Sequence, residues 1–299
     1  MREDDGPATP DGGSDASAGG ASPDDAAPGG AAVGNAPPDE AVPGGPGHGR
    51  TSPGDPTPGD AALLARLRAA PVLAGPLPEF DPADAPDSPG PLFATWLELA
   101  LADALPEPHV MTLATAAADG TPSARVLMLR GVDTDDCAFD FASDAVSRKG
   151  RDLAANPVAA LTWYWPAHGR QIRMTGPVDV LDEETARRDF LGRSPASRAA
   201  GFIGRMSGPL TGAMEYERAR AAADALVAAE PERIPEGHTV YRLRAREAEF
   251  FQADPGRFHV RLRYTRSDQA GKGGDKPGDG DTDANGDTDG GWTRTLLWP

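Results

Sequence analysis

Two cations at the start of a short helical pattern are the first feature of this sequence that could do chemistry. The pattern begins at Ser147-Arg148-Lys149, and Ser147 is of the type that caps a helix N-terminus. Free backbone N–H groups, the helix dipole and two cations would converge there, which suits a phosphate. The alternative is a basic turn in solvent.

A second cationic stretch runs from Arg125 to Arg130. If it is a strand, alternation places one set of three side chains on one face and the other set on the opposite face: Arg125, Leu127 and Leu129 against Val126, Met128 and Arg130. Charges at both ends of a buried strand are compatible with an anion at either end. Equally, both guanidinium groups can extend into solvent from the ends of a barrel.

The residues Arg257, His259, Arg261 and Arg263 alternate in a strand-like pattern, which predicts that all four share one face. Four cationic or titratable groups on one face repel each other unless they meet an anion or acidic partners. We take this as the strongest physical indication of a site. The alternative is an exposed, solvated face of a barrel.

Two weaker candidates complete the set. Arg193 and Ser197 stand at a junction between two helical patterns, where a guanidinium can bind a phosphate through two hydrogen bonds; ordinary helix capping is the alternative. Gln171 opens a strand pattern, and its side chain can donate and accept at once, as the edge of a flavin ring requires.

Several classes of site are not indicated. The histidines show no metal-ligand spacing, so we predict no metal, and we find no nucleophile elbow and no phosphate-binding loop. The single cysteine, Cys137, lies in an apolar run and is predicted to be a buried core thiol.

The elements that must position these residues are mostly short strands joined by tight turns. Strand patterns cover 109–116, 123–133, 137–142, 158–165, 170–181, 238–252, 257–266 and 292–298, and helical patterns cover 61–70, 91–105, 147–155, 183–192, 195–202 and 214–229. Strand and helix patterns do not alternate regularly. We therefore expect a mainly β fold of the α+β class, an antiparallel barrel with peripheral helices.

Composition divides the chain into three parts. Residues 1–60 contain 14 Gly and 11 Pro, with eleven acidic residues against two basic ones, and are predicted to be a disordered acidic tail. A helix and linker follow at 61–90, and the folded domain spans 91–299 with a disordered acidic loop at 267–291. Because the acidity is concentrated in the tail and the loop, nonspecific nucleic-acid binding is not expected.

No segment has the pattern of a signal peptide or the length of a membrane span, so we expect a cytoplasmic protein without a membrane partner.

In order and in spacing, the candidate residues resemble the pyridoxine/pyridoxamine 5'-phosphate oxidases from about residue 90 to 299, excluding 267–291. The stretches that carry the resemblance are EPHVMTLATAAADGTPSARVLMLRGVD, SRKGRDLAANPVAALTWYWPAHGRQIRMTGPV, FLGRSPASRAAGFIGRMS, AEFFQADPGRFHVRLRYTR and GWTRTLLWP. The resemblance implies an antiparallel FMN-binding split β-barrel that forms a homodimer, with FMN in clefts between the subunits.

The resemblance also implies roles for individual residues. FMN would be contacted by Arg125, Val126, Leu127, Met128, Leu129, Arg130, Ala142, Ser143, Arg148, Lys149, Gln171, Ser207, Phe251 and Arg261. The substrate would be held by Arg130, Arg193, Ser197, Arg257 and His259, and the last two would cover its ring as the catalytic pair.

This sequence departs from the family pattern mainly around the substrate. The usual phosphate-binding Lys is Arg130 here, and a usual phosphate-binding Tyr is Asp189, whose charge would repel a phosphate unless it turns away or pairs with Arg. The usual Gln at an FMN contact is Met206, and the usual Trp is Phe251. Residues 236–241 replace a Trp-Gly-Gly stretch and look similar to the phenazine-biosynthesis branch, which oxidises reduced tricyclic acids.

The resemblance therefore implies an FMN-dependent oxidase that uses O2 and releases hydrogen peroxide, with a small phosphorylated or anionic aromatic substrate. Pyridoxamine or pyridoxine 5'-phosphate, oxidised to pyridoxal 5'-phosphate, is the first expectation. Two alternatives stay open: an oxidase of a dihydrophenazine-type metabolite, and a non-catalytic module that binds flavin, pyridoxal phosphate or haem.

Overall fold

Residues 57–73, 75–203, 206, 208–267 and 291–299 are described in a computed structural model of the chain. The chain divides into two units, 1–64 and 65–299, and all of the strands belong to the second. The predicted tail lies outside the described residues as far as residue 56. Residues 268–290 of the predicted acidic loop also lie outside them.

Ten strands and six α-helices make up the described part of the fold. The strands are β1 Val110–Ala116, β2 Pro122–Met128, β3 Gly131–Asp133, β4 Ala138–Asp144, β5 Val158–Trp165, β6 Arg170–Val180, β7 His238–Arg244, β8 Glu247–Gln252, β9 Val260–Arg266 and β10 Trp292–Leu296. The helices are α1 Pro58–Arg68, α2 Pro89–Ala102, α3 Arg148–Ala155, α4 Glu183–Leu191, α5 Pro195–Gly201 and α6 Ala213–Ala229.

All strand pairs are antiparallel and together form one curled sheet. Its main path runs β10-β9-β8-β6-β5-β1-β2, while β3, β4 and β7 form a branch that returns to β6. Two hairpins join neighbouring strands by the tight turns that were expected: β1–β2 turns at Gly120, and β5–β6 turns at Gly169. Both glycines have positive φ, 81° and 60°, a conformation that side chains disfavour.

The strand β6 changes partner midway, and this allows the sheet to curl. Its first half pairs with β8 and its last residues pair with β7. The change falls at Gly176-Pro177, where a Cβ on Gly176 would lie 1.9 Å from the carbonyl oxygen of Arg244. This change of partner therefore depends on the absence of a side chain at Gly176.

Aromatic side chains fill the interior of the curled sheet. From α2, Phe93 packs against Phe139 and Trp163 with ring centroids 4.8 and 4.9 Å apart, and Trp96 packs against Phe250 at 5.2 Å. Cys137 is buried beside this core as predicted, and burial raises the pKa of its thiol to about 12. The mainly β, split-barrel prediction is confirmed.

Three of the predicted strands differ from the structure. The pattern at 123–133 is broken after Met128, and the one at 238–252 divides into β7 and β8 around Ala245. The strand predicted to begin at residue 257 begins at Val260, because Arg257 has a φ of 71° and belongs to a turn. Within the described ranges, no helix has both the length and the apolar character needed to cross a membrane.

Candidate functional site

The start of α3 is built as the sequence predicted. The buried hydroxyl of Ser147 accepts a hydrogen bond from the backbone N–H of Gly150 at 3.3 Å, which caps the helix. A Cβ on Gly150 would lie 2.3 Å from the carbonyl oxygen of Ala145, so only glycine lets the preceding loop approach this closely. The arrangement fixes Arg148 and Lys149 in the first turn.

Lys149 and its neighbours form a patch of positive charge. Burial, and then the nearby charge of Arg125, lower the pKa of half-buried Lys149, while Asp144 opposes this. Arg125 in turn has a pKa lowered by burial and by Arg148, against the effect of Asp152. The structure therefore places Arg125 near the charges of both Arg148 and Lys149, three cations that were predicted to contact FMN.

Arg125 is anchored to the sheet. Its guanidinium donates to the hydroxyl oxygens of Thr115 at 2.8 Å and Ser123 at 2.7 Å, and to the carbonyl of Leu113 at 3.2 Å. The buried carboxylate of Asp152 lies 3.9 Å from it and accepts a hydrogen bond from Thr115. These contacts hold the side chain on the face of β2 that alternation predicted.

Two adjoining cavities lie beside this patch and share Ala142 and Arg193. The smaller, of about 140 Å3, is lined by Leu127, Ala142, Ser143, Asp144, Lys149, Arg193, Gly201, Met206, Pro235 and His238. The larger, of about 400 Å3, is lined by Met128, Arg130, Ala142, Gly192, Arg193, Ser194 and Ser197. Residues predicted for the cofactor and residues predicted for the substrate thus line one continuous region.

Asp189 lies between the guanidinium groups of Arg130 and Arg193 in this region. Its carboxylate accepts hydrogen bonds from Arg130 Nε at 2.9 Å and Arg193 Nη2 at 2.5 Å, and lies 2.9 Å from His238 Nε2. Burial alone would raise the pKa of Asp189, but the hydrogen bonds from His238 and Arg130 and the charge of Arg193 outweigh it. The pKa is held well below its usual range, so Asp189 is ionised at neutral pH.

A second group of predicted residues lies on other strands. Gln171 on β6 pairs with Phe251 on β8, and Phe251 pairs with Arg261 on β9, so the three stand side by side across the sheet. The ring of His259 lies 5.1 Å from that of Phe251. In the sheet order, β5 and β1 separate β6 from β2, which carries Arg125.

The predicted face of four cationic groups is wrong in part. Because the strand begins at Val260, Arg257 and His259 do not continue its alternation; Arg257 is exposed, and the Nδ1 of His259 accepts from the N–H of Asp254 at 3.0 Å. Arg261 donates to buried Glu249 at 3.0 Å, and Arg263 lies 3.9 Å from Glu247. Acidic partners across the sheet meet the charges of these two arginines.

The other predicted contacts divide as follows. Val126 and Met128 are exposed, and Leu129 packs on the core. Ser207 lies outside the described residues.

His238 was not predicted as a site residue, since only its contact with Asp189, 49 positions away, places it there. The described residues contain no cluster of three or more His, Cys, Asp or Glu side chains that could hold a metal ion.

Comparison with known proteins agrees with this geometry. Residues 97–250 match the family described as pyridoxamine 5'-phosphate oxidase. The chain belongs to this family. Residues 238–299 match the pyridoxine 5'-phosphate oxidase C-terminal dimerisation region. Membership of an oxidase family supports the predicted oxidoreductase activity.

Two relatives of known family are similar to this chain over most of their own length. The chain is 40% identical over 194 residues to a pyridoxine/pyridoxamine 5'-phosphate oxidase of Burkholderia vietnamiensis, covering 65% of this chain and 89% of the relative. A similar enzyme of Bordetella petrii is 40% identical over 184 residues, covering 62% and 86%.

Among solved structures, PhzG from Burkholderia lata in complex with tetrahydrophenazine-1-carboxylic acid is 29% identical with a TM-score of 0.64, covering 75% of this chain and all of that one. An FMN-binding, pyridoxamine 5'-phosphate oxidase-related protein of Nostoc punctiforme shares the fold at 18% identity and a TM-score of 0.51, covering 74% of this chain and 99% of that one.

Proposed function

We propose that this protein is an FMN-dependent oxidase. The observation that carries the proposal is the capped start of α3, where Lys149 lines a cavity together with Ser143 and where Arg125 lies near the charges of both Lys149 and Arg148. Cations and first-turn N–H groups are the donors that a phosphate monoester requires. The residues present therefore fit the phosphate end of FMN.

Residues in the second group fit the ring end of the same cofactor. Gln171 would meet the polar edge of the isoalloxazine, with Phe251 and Arg261 beside it. Because the two groups lie on separated strands and residues 238–299 match a dimerisation region, we propose that one subunit supplies the phosphate grip and its partner supplies the ring contacts. The protein is then a homodimer whose sites form between subunits.

When bound, FMN would supply the redox chemistry, namely transfer of a hydride from a substrate carbon and of two electrons to O2, which with two protons would become hydrogen peroxide. The chain supplies orientation and charge. Arg193 and Ser197 line the larger cavity and would hold the anionic end of the substrate, while Arg257 and His259 would cover its ring.

The curated relatives favour pyridoxamine or pyridoxine 5'-phosphate as the substrate. They carry that name and match over most of their length. Pyridoxamine phosphate, O2 and water would give pyridoxal phosphate, ammonia and hydrogen peroxide. Arg193 and Ser197 would bind the phosphate in this case.

Asp189 favours a second candidate, a reduced ring system that carries a carboxylic acid. Its carboxylate is hydrogen-bonded to the arginines that a substrate phosphate would need. In addition, the PhzG structure contains a tetrahydrophenazine carboxylic acid. The reaction would again transfer hydride to FMN and electrons to O2.

The test begins with the purified protein. A yellow protein with bound FMN, or one that takes up added FMN, supports the proposal, and a colourless protein that takes up none contradicts it. Peroxide release is then measured with pyridoxamine phosphate and with dihydrophenazine acids. Bound flavin without peroxide from either class would support the non-catalytic binding module instead.

A further inference from the structure

The two cations that line the larger cavity share one carboxylate, which is not itself part of the cavity lining. Arg130 and Arg193 line this cavity, and both donate to Asp189, which is only 12% exposed. Asp189 and Arg193 stand four residues apart at the end of α4, and Arg130 approaches from the residues that follow β2. The carboxylate therefore binds to these two guanidinium groups as an anionic ligand would.

Three further charged or titratable groups line the smaller cavity: Asp144, Lys149 and His238. His238 lies 2.9 Å from Asp189 on the side of the smaller cavity, which also holds the oppositely charged pair Lys149 and Asp144. Arg130, Arg193 and Asp189 together carry a single net positive charge. Among the described residues, the buried Nε of Arg193 has no hydrogen-bond partner, so donor capacity remains for a ligand.

We propose that Asp189 determines the charge of the substrate, so that the larger cavity accepts a monoanion such as a ring carboxylate in preference to a phosphate dianion. A monoanion balances the single net positive charge. A dianion brings a second negative charge close to Asp189, where the partly buried surroundings screen it weakly. This inference rests on the proposed function, since it takes the cavity as the substrate site.

The test compares two probes that share a ring and differ in charge. Binding of benzoate and of phenyl phosphate to the full chain is measured by calorimetry at low salt and about pH 7.5, where a phosphate monoester with a second pKa of about 6 is a dianion. We expect the wild type to bind benzoate more tightly. The variant Asp189→Asn keeps the side-chain size and removes the charge, and should shift the affinity ratio toward phenyl phosphate by about tenfold or more.

Two further variants make the result specific. Asp179→Asn removes a negative charge from an exposed surface pair with Arg244 and should leave the ratio unchanged. Asp189→Glu keeps the charge and should retain the preference for benzoate. If Asp189→Asn does not fold, the affinity ratio of Asp189→Glu still tests the inference.

Tighter wild-type binding of phenyl phosphate than of benzoate would overturn the inference, as would an unchanged ratio in Asp189→Asn. Calorimetry is carried out with and without added FMN, and flavin uptake is recorded separately. Failure of flavin uptake with a normal anion preference contradicts the oxidase proposal alone. Normal uptake with a preference for the dianion contradicts the assignment of Asp189 alone.

Discussion

Replacing Lys149 with alanine tests whether the cations at the start of α3 bind the phosphate of FMN. Lys149 is half-buried and lines the smaller cavity, so its ammonium is less screened than that of a surface lysine. A hydrogen bond that involves a charged group contributes about 1.5–3 kcal/mol. Two unit charges about 4 Å apart at an effective dielectric constant near 20 interact by about 4 kcal/mol, which is an upper bound.

Partial exposure reduces the Coulombic figure, and Arg125 and Arg148 remain in the variant, so we expect a loss of about 2 kcal/mol. Since about 1.4 kcal/mol corresponds to a factor of ten, the dissociation constant for FMN should rise about 30-fold. The assay is titration of flavin-free protein with FMN, followed by the change in flavin fluorescence, together with chemical denaturation to show that the fold is intact.

The matched control is Arg151→Ala, which removes a positive charge from the same helix. Arg151 is exposed and donates to the carbonyl of Val146 rather than toward the cavity. We expect its FMN affinity to stay within about threefold of the wild type, because exposed charges contribute little. Equal losses in the two variants, or no loss in Lys149→Ala, would refute the assignment of a phosphate contact.

Three further predictions concern other parts of the site. Gly150→Ala forces a Cβ against the carbonyl of Ala145 and should lower the free energy of unfolding by about 1–3 kcal/mol in denaturant titrations, whereas Gly75→Ala, with open space around it, should have little effect. The pKa of Asp189 is lower in the folded protein, so its ionised form stabilises the fold fully above the unfolded pKa of about 4, and this stabilisation is lost as the pH falls through the folded pKa. Asp189→Asn should therefore weaken the pH dependence of the free energy of unfolding below about pH 4. An unchanged pH dependence in that range would contradict this. Arg257→Ala should reduce peroxide turnover while FMN stays bound, and release of the flavin instead would show that Arg257 belongs to the cofactor site.

The local features of this fold were predictable from the sequence because they depend on neighbours along the chain. The cap of Ser147 on α3 needs only the three residues that follow it. The hairpin turns need a glycine at positive φ, and Gly120 and Gly169 provide it. Alternation along β2 gives the faces of Arg125 and Leu127 directly.

The strand predicted at 257–266 shows where such patterns fail. Alternation of charged and apolar residues looks the same in a strand and in a turn that leads into one, and an arginine in the left-handed region has no sequence signature. The cross-strand positions of Glu249 and Glu247 depend on register, which the pattern of one strand does not determine.

The sequence by itself determined the family, the split-barrel class and the cations that could bind a phosphate, since residue types and their spacing carry that information. The sequence also marked Asp189 as a departure from the family pattern, and it left open whether this carboxylate turns away from the site or pairs with an arginine. Only the tertiary structure decided this, because Arg130 and His238, respectively 59 and 49 positions away, reach Asp189 through the packing of α4 against the sheet. The charge of the cavity is therefore a property of the folded chain.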